Sequence, residues 1–137
     1  MKWGGIDDVN LLKMNGFERI YQVDCFTKEF QDAVNEIWLG KSPYKRYQKK
    51  LIEDLAVLDD YGENAIKLPQ FEALSNTKCR LYSIRHPKTK KNVRILYVIS
   101  KGSIILLTAF LEKNISDYTN GISRSEKRYS DLISNCR

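Results

Sequence analysis

The sequence has few of the residues from which metal and disulfide sites are built. Its 137 residues include one histidine, His86, and three widely spaced cysteines, Cys25, Cys79 and Cys136. An odd number of cysteines without a C-x-x-C pair argues against a disulfide framework and against a zinc site. A single histidine argues against a histidine-rich metal centre. We therefore expect a protein that uses neither a metal ion nor a cofactor.

Long apolar segments are absent as well. No apolar run approaches the ~20 residues that a helix needs to cross a bilayer. The first residues, MKWGGIDD, lack the apolar core of a signal peptide. We expect a cytoplasmic protein without a membrane partner. The chain length favours one domain over residues 1–137, in which residues 1–16 are either a loose arm or a short helical turn.

Acidic residues are missing from the middle of the chain. Between residues 73 and 110 there is no Asp or Glu. The net charge of +6 originates in this stretch, since the remaining residues carry 15 basic and 17 acidic side chains. We expect a concentrated, uncompensated basic surface, which would attract a polyanion. The eight basic residues of the stretch are Lys78, Arg80, Arg85, Lys88, Lys90, Lys91, Arg94 and Lys101.

Apolar alternation in the same stretch is typical of β-strands, and apolar residues at helical spacing dominate on either side of it. Strands are predicted at residues 18–25, 79–86, 93–100 and 103–111. Helices are predicted at residues 28–39, from 42 to about 61, and at about 117–134, with residues 63–77 as a connection. The expected order is β-α-α-β-β-β-α. It describes an α+β fold in which an α-helical hairpin backs a small, largely antiparallel sheet.

The last helix is expected to cover only part of the second face of this sheet. Two of its features are predicted from single residues. Ser123-x-x-Glu126 has the form of a capping box, which is typical of a helix start. Gly121 is expected to weaken the helix, because glycine is a poor helix former.

Arg85 and Arg94 project from strands that are neighbours in a hairpin. Residues opposite each other on such strands lie ~5 Å apart, and diagonal ones ~7–8 Å. The two guanidinium groups can therefore converge on one phosphate. Like charges this close are destabilising unless an anion joins them, which favours a functional role. The alternative, two arginines solvated separately on a polar sheet face, stays open at this point.

Short strand motifs in this region follow the pattern of a known toxin family. They are residues 81–85 (LYSIR), 93–97 (VRILY) and 106–110 (LLTAF). Over about residues 18–134 the chain resembles the RelE/ParE toxin superfamily of bacterial and phage toxin–antitoxin modules, and within it the phage-derived, HigB-like branch. Residues 1–16 are then an N-terminal extension. The chain departs from the family pattern at Glu112, where a basic residue is usual, and no helix-starting proline follows.

The resemblance implies a RelE-like fold and a specific activity. The chain would be the toxin of a type II toxin–antitoxin system, a metal-independent endoribonuclease that cleaves mRNA, in many members on the ribosome. Such an mRNA interferase inhibits translation and arrests growth. The resemblance also implies a cognate HigA-like antitoxin with a helix-turn-helix fold, and contact with operator DNA only through that antitoxin.

RNA cleavage without a metal uses the 2′-OH as the nucleophile. It needs a base, an acid for the leaving 5′-oxygen, and cations that stabilise the pentacovalent phosphate. Arginine forks match phosphate geometry, and the resemblance makes Arg85, Arg94 and Lys113 the first choices for that cationic role. The base is left open between His86, whose ordinary pKa is near neutrality, and Glu112.

The remaining basic residues of the stretch are candidates for binding RNA. Lys88, Lys90 and Lys91 lie in a predicted turn, where they would contact the phosphate backbone without reading its sequence. Lys78 and Arg80 would extend that surface. Two alternatives remain. One is a ParE-like toxin that acts on gyrase and is not a nuclease. The other is a non-catalytic RNA-binding module, which predicts salt-sensitive binding without cleavage.

Overall fold

The computed structural model describes residues 10–37, 44–85 and 92–135. In these ranges the elements are β1 (Leu11–Lys13), β2 (Ile20–Val23), α1 (Phe26–Ile37), α2 (Tyr44–Tyr61), a 3₁₀ helix (Gly62–Lys67), β3 (Phe71–Ala73), β4 (Tyr82–Ile84), β5 (Asn92–Ser100), β6 (Ser103–Glu112) and α3 (Ile115–Asn135). None of the helices within these ranges combines the length and the apolar character needed to cross a membrane.

The strands form one six-stranded sheet in the order β1-β2-β6-β5-β4-β3. Strands β3 to β6 are antiparallel neighbours, and so are β1 and β2, whereas β2 runs parallel to β6. The predicted α+β class is confirmed. The predicted element order was incomplete, because it lacked β1 and β3. Both are three-residue strands at the edges of the sheet, too short to produce a recognisable alternation.

The helices cover the two faces of the sheet. On one face, Phe30 of α1 and Leu51 of α2 line a small hollow together with Ile84 and Ile95 of the sheet. On the other face, Ser125 of α3 is hydrogen-bonded to Thr108 of β6 at 2.6 Å. Strand β6 lies between β2 and β5 and is buried from residue 104 to 111. Its apolar character on both faces follows from this central position.

The start of α3 differs from the prediction. Asn114 Oδ1 accepts a hydrogen bond from the Asp117 N–H at 3.2 Å, and Asp117 Oδ2 accepts one from the Asn114 N–H at 3.2 Å. This reciprocal pair is a capping box, and it begins the helix at Ile115. The capping box predicted from Ser123 and Glu126 is therefore wrong, since both residues lie in the interior of the helix.

Gly121 marks the closest approach between α3 and the sheet. A Cβ at this position would lie 2.3 Å from a ring carbon of Phe110 on β6. Real Cβ contacts are never this short, so any larger residue would force the ring or the helix to move. The close packing of α3 on β6 therefore requires glycine at this position. The prediction that Gly121 weakens the helix considered only its helix propensity.

Candidate arginine–carboxylate site

Arg94 lies on β5, on the face covered by α3, and its side chain is 6% exposed. Its guanidinium donates hydrogen bonds to two carboxylates. Nη1 lies 2.8 Å from Glu72 Oε1, and Nη2 and Nε lie 3.0 and 3.2 Å from Glu112 Oε1. Nη1 also donates to Ser83 Oγ at 3.0 Å. A buried arginine is stable only with such partners, and here they satisfy its donors on several sides.

The register of the strands explains why these residues meet. Glu72 of β3 lies opposite Ser83 of β4, and Ser83 lies opposite Leu96 of β5. Arg94 is two residues before Leu96 and therefore shares its face. Glu112 is two residues after Phe110, the cross-strand partner of Arg94 on β6. Four consecutive strands of the sheet thus contribute one polar side chain each to the same face.

Arg85 reaches the same site from the end of β4. Its Nε lies 3.3 Å from Glu72 Oε1, the oxygen that also accepts from Arg94 Nη1. Nε is buried and finds no hydrogen-bond partner among the described residues, so its contact with Glu72 is ionic without hydrogen-bond geometry. The side chains of Arg85 and Glu72 are 35% and 36% exposed. We call Glu72, Arg85, Arg94 and Glu112 the Arg94 cluster.

An aromatic ring from α3 covers part of the cluster. The guanidinium carbon of Arg94 lies 4.7 Å from the ring centroid of Tyr118. This distance is within the range of a cation–π interaction. Arg94 is thus fixed by Glu112, Ser83 and Tyr118 independently of Glu72.

The Arg94 cluster corrects the expectation of an uncompensated basic surface. Glu72 and Glu112 flank the acid-free stretch in the sequence, and the fold brings both carboxylates onto Arg94. The sequence had identified Glu112 as a candidate base but had missed Glu72. Glu72 could have been noticed because it immediately precedes the acid-free stretch. Its contact with Arg94, however, follows only from the pairing of residues 71–73 with β4.

Lys113 directly follows Glu112, the last residue of β6. It is exposed and lines a separate hollow along the outer edge of β6, together with Glu29, Asp32 and Arg124. Its backbone N–H donates to Asp117 Oδ2 at 2.9 Å, which joins it to the start of α3. The structure thus brings Arg85 and Arg94 to one oxygen, and the role of Lys113 at a phosphate stays a prediction.

The other predicted RNA-binding residues divide into two groups. Lys78 and Arg80 are exposed on the chain that enters β4. Arg80 Nε donates to Tyr82 Oη at 3.0 Å, and this hydrogen bond raises the pKa of Arg80. Four residues lie outside the described ranges, namely the candidate base His86 and the turn lysines Lys88, Lys90 and Lys91.

A second arginine, the partly buried Arg128 on α3, contacts the backbone of β6. No strand of the described ranges pairs with the outer edge of β6 beyond Leu106. Arg128 Nη1 donates to the Leu107 carbonyl at 2.8 Å, and Glu29 Oε1 accepts from the Ala109 N–H at 3.3 Å. Arg128 Nη2 and Glu29 Oε2 are 2.7 Å apart, and this bond raises the pKa of Arg128. We call Glu29 and Arg128, with these backbone partners, the Arg128 cluster.

The described cysteines do not supply a reactive thiolate. Burial raises the pKa of both Cys25 and Cys79, so that their thiols are protonated near neutral pH. Within the three described ranges, no group of three or more His, Cys, Asp or Glu residues is arranged to hold a metal ion.

No protein-family model, no curated protein and no solved structure matches this chain. The site geometry and the sequence resemblance are thus what bears on its function.

Proposed function

We propose that this chain is the toxin of a type II toxin–antitoxin system and acts as a metal-independent endoribonuclease on mRNA. One observation carries the proposal. Two guanidinium groups, those of Arg85 and Arg94, converge on a single anionic oxygen at a partly exposed position, next to a second carboxylate. Two arginines around one oxyanion are what a phosphodiester in cleavage requires. The LYSIR and VRILY motifs that carry the family resemblance supply these two arginines.

The proposed reaction is an intramolecular transesterification. Glu112 accepts the proton of the 2′-OH while the 2′-oxygen attacks the adjacent phosphorus. Arg85 and Arg94 stabilise the additional negative charge on the phosphate oxygens in the pentacovalent transition state. The bond to the 5′-oxygen breaks and that oxygen takes a proton from water, while Glu112 returns its proton to the resulting hydroxide. The products are a 2′,3′-cyclic phosphate and a 5′-hydroxyl.

The same proposal includes partners and a location. The toxin acts in the cytoplasm, on mRNA bound to the ribosome, where Lys78 and Arg80 contact the phosphate backbone. A HigA-like antitoxin with a helix-turn-helix fold neutralises it through an acidic segment and alone contacts operator DNA.

The test compares the wild type with Arg85→Ala and Glu112→Gln during induced expression. We expect the wild type to arrest growth and to generate new mRNA 5′ ends, and both variants to lose these ends. Arg46→Ala is the matched control, because it removes the same charge from an exposed position on α2 and should cut mRNA like the wild type. Growth arrest by the wild type without new 5′ ends would refute the nuclease proposal.

A second candidate is a ParE-like toxin without nuclease activity, and one observation favours it. All three nitrogens of the Arg94 guanidinium already donate to protein side chains, and Lys113 lies in a different hollow. In this case growth arrest would coincide with inhibited gyrase and intact mRNA. Salt-sensitive RNA binding without cleavage or arrest would instead indicate a non-catalytic RNA-binding module.

A further inference from the structure

We infer that Glu72 is a displaceable internal anion, which occupies the position of the substrate phosphate and determines which anions can enter the site. This inference rests on the proposed function and deepens it. It is carried by one oxygen, Glu72 Oε1, which receives Arg94 Nη1 at 2.8 Å and Arg85 Nε at 3.3 Å. Two arginines that share one oxygen of an internal carboxylate form a subsite that an external oxyanion can fill.

The two arginines do not depend equally on Glu72. Arg94 keeps its bonds to Glu112 and Ser83 and its contact with Tyr118 when Glu72 leaves. Its guanidinium would therefore stay in place as a fixed side of the subsite. Arg85 has a buried Nε without a hydrogen bond, so Glu72 satisfies it incompletely. A phosphate presents several oxygens in a tetrahedral arrangement and can offer this donor a better acceptor than Glu72 does.

The position of Glu72 keeps the free energy needed to move its carboxylate away from the arginines small. It lies on β3, a three-residue strand at the end of the sheet that pairs only with β4 in the described sheet. Its side chain is partly exposed, so a rotation can return the carboxylate to water without opening the core. Glu112 is held differently, since a single oxygen accepts from both Nε and Nη2 of Arg94.

The charge balance of the Arg94 cluster affects which anions can replace Glu72. With Glu72 in place, two arginines and two carboxylates make the Arg94 cluster neutral, and a weakly bound anion gains little by entering. An anion must make more contacts with the arginines than Glu72 makes in order to replace it. A phosphodiester satisfies this condition, because its two non-bridging oxygens share the negative charge and can each accept hydrogen bonds. A halide is a single atom and does not satisfy it.

The experiment measures the affinity of the purified protein for inorganic phosphate by titration calorimetry at constant ionic strength. Glu72→Gln removes the competing charge and keeps the size of the side chain. Glu53→Gln makes the same change in net charge at an exposed position of α2. We expect Glu72→Gln to bind phosphate about tenfold more tightly than the wild type, which is about 1.4 kcal/mol, because phosphate no longer has to displace a charged competitor. Glu53→Gln should stay within about twofold.

A further variant tests whether the increase in phosphate affinity depends on Arg85. Arg85→Gln, combined with Glu72→Gln, should remove the increase in affinity, because the phosphate would then have only one arginine. If the Glu72→Gln protein melts at a lower temperature than the wild type, Glu72→Asp is measured instead. The shorter side chain withdraws the carboxylate from the arginines and should give a smaller increase. Equal affinities of the Glu53 variant and the Glu72 variants, or a gain that survives the loss of Arg85, would overturn the inference.

The outcome is separable from that of the nuclease proposal. If Glu72→Gln binds phosphate more tightly but neither protein cuts RNA, the internal anion stands and the nuclease proposal fails. If the wild type cuts RNA and the Glu72 variants show no gain in phosphate affinity, the nuclease proposal stands and the internal anion fails.

Discussion

Arg94 and Arg128 are both paired with glutamates, yet their surroundings differ. Arg128 donates to the Leu107 carbonyl and to Glu29, and Glu29 in turn accepts from the Ala109 N–H. The pair therefore substitutes for a missing strand along the outer edge of β6. The guanidinium of Arg94 donates to the side chains of Glu72, Ser83 and Glu112, and it shares Glu72 with Arg85.

The difference concerns which partners can be replaced. The backbone carbonyl of a buried strand residue such as Leu107 cannot leave, so it holds Arg128 in place. A glutamate on an edge strand can leave, so the Arg94 cluster can exchange an internal anion for an external one. An arginine–carboxylate pair thus does not reveal by itself whether it supports the fold or a site. The variants below are chosen to separate the two roles.

The largest effect is expected from Arg94→Met. The substitution keeps an apolar stem but removes the cation that Glu72 and Glu112 share. Glu72 still has Arg85 beside it, whereas Glu112 loses both of its hydrogen bonds to Arg94. We expect the free energy of unfolding to fall by about 3–5 kcal/mol, as for a broken buried ion pair. Urea denaturation followed by circular dichroism measures it.

Arg85→Met is the matched control for this variant, since it removes a partly exposed arginine from the same glutamate. It should lower the free energy of unfolding by less than about 1 kcal/mol. Equal losses for the two variants would show that Arg94 is not the structural centre of the cluster.

Arg128→Met should lower the free energy of unfolding by about 2–3 kcal/mol. It removes the hydrogen bonds of Arg128 to the Leu107 carbonyl and to Glu29. Glu29 keeps the Ala109 N–H and the longer contact with Arg124 Nε at 3.9 Å. Phosphate affinity should stay at the wild-type value, because Arg128 also donates to the Leu107 carbonyl, which an external anion cannot replace. A large change in phosphate affinity would remove the distinction between the two clusters.

Part of this comparison could be predicted from the sequence. The β5–β6 hairpin and the helical hairpin follow from long apolar patterns with a period of two or of 3.6 residues. The tight turn at Lys101 and Gly102 follows from residue type, and both have positive φ in the structure, 51° and 83°. The same alternation placed Arg85 and Arg94 on neighbouring strands.

Glu72 and Arg128 could not be assigned their roles in this way. Glu72 belongs to a three-residue strand whose only signal is its pairing with β4, which is a tertiary interaction. Arg128 acts at an edge that exists only because β2 ends before β6 does. Neither the pairing of β3 nor the end of β2 produces a periodic pattern in the sequence. The sequence therefore predicted that the anion between the two arginines is external.

Gly121→Ala tests the helix that contacts both clusters, since α3 carries Arg128 and also Tyr118, whose ring lies over Arg94. Alanine favours the helix by about 0.5–1 kcal/mol, but its Cβ would lie 2.3 Å from the Phe110 ring. We expect overpacking to dominate and the free energy of unfolding to fall by about 1–2 kcal/mol. A more stable variant in urea denaturation would mean that the ring moves freely, and that α3 does not fix the two clusters relative to the sheet.

The smallest effect is expected from Tyr118→Leu, which removes the aromatic ring from Arg94 and keeps an apolar side chain. A cation–π contact at a partly buried position contributes about 0.5–1 kcal/mol, so the free energy of unfolding should fall by that amount in urea denaturation. Tyr129→Leu is the control, because this partly buried tyrosine of α3 packs on the apolar core. Combined with Arg94→Met, the Tyr118 substitution should have no further effect, whereas the Tyr129 substitution should add its full cost. Additive losses for Tyr118 and Arg94 would mean that the ring supports the core, and that only Glu112 and Ser83 hold Arg94 in place when Glu72 leaves.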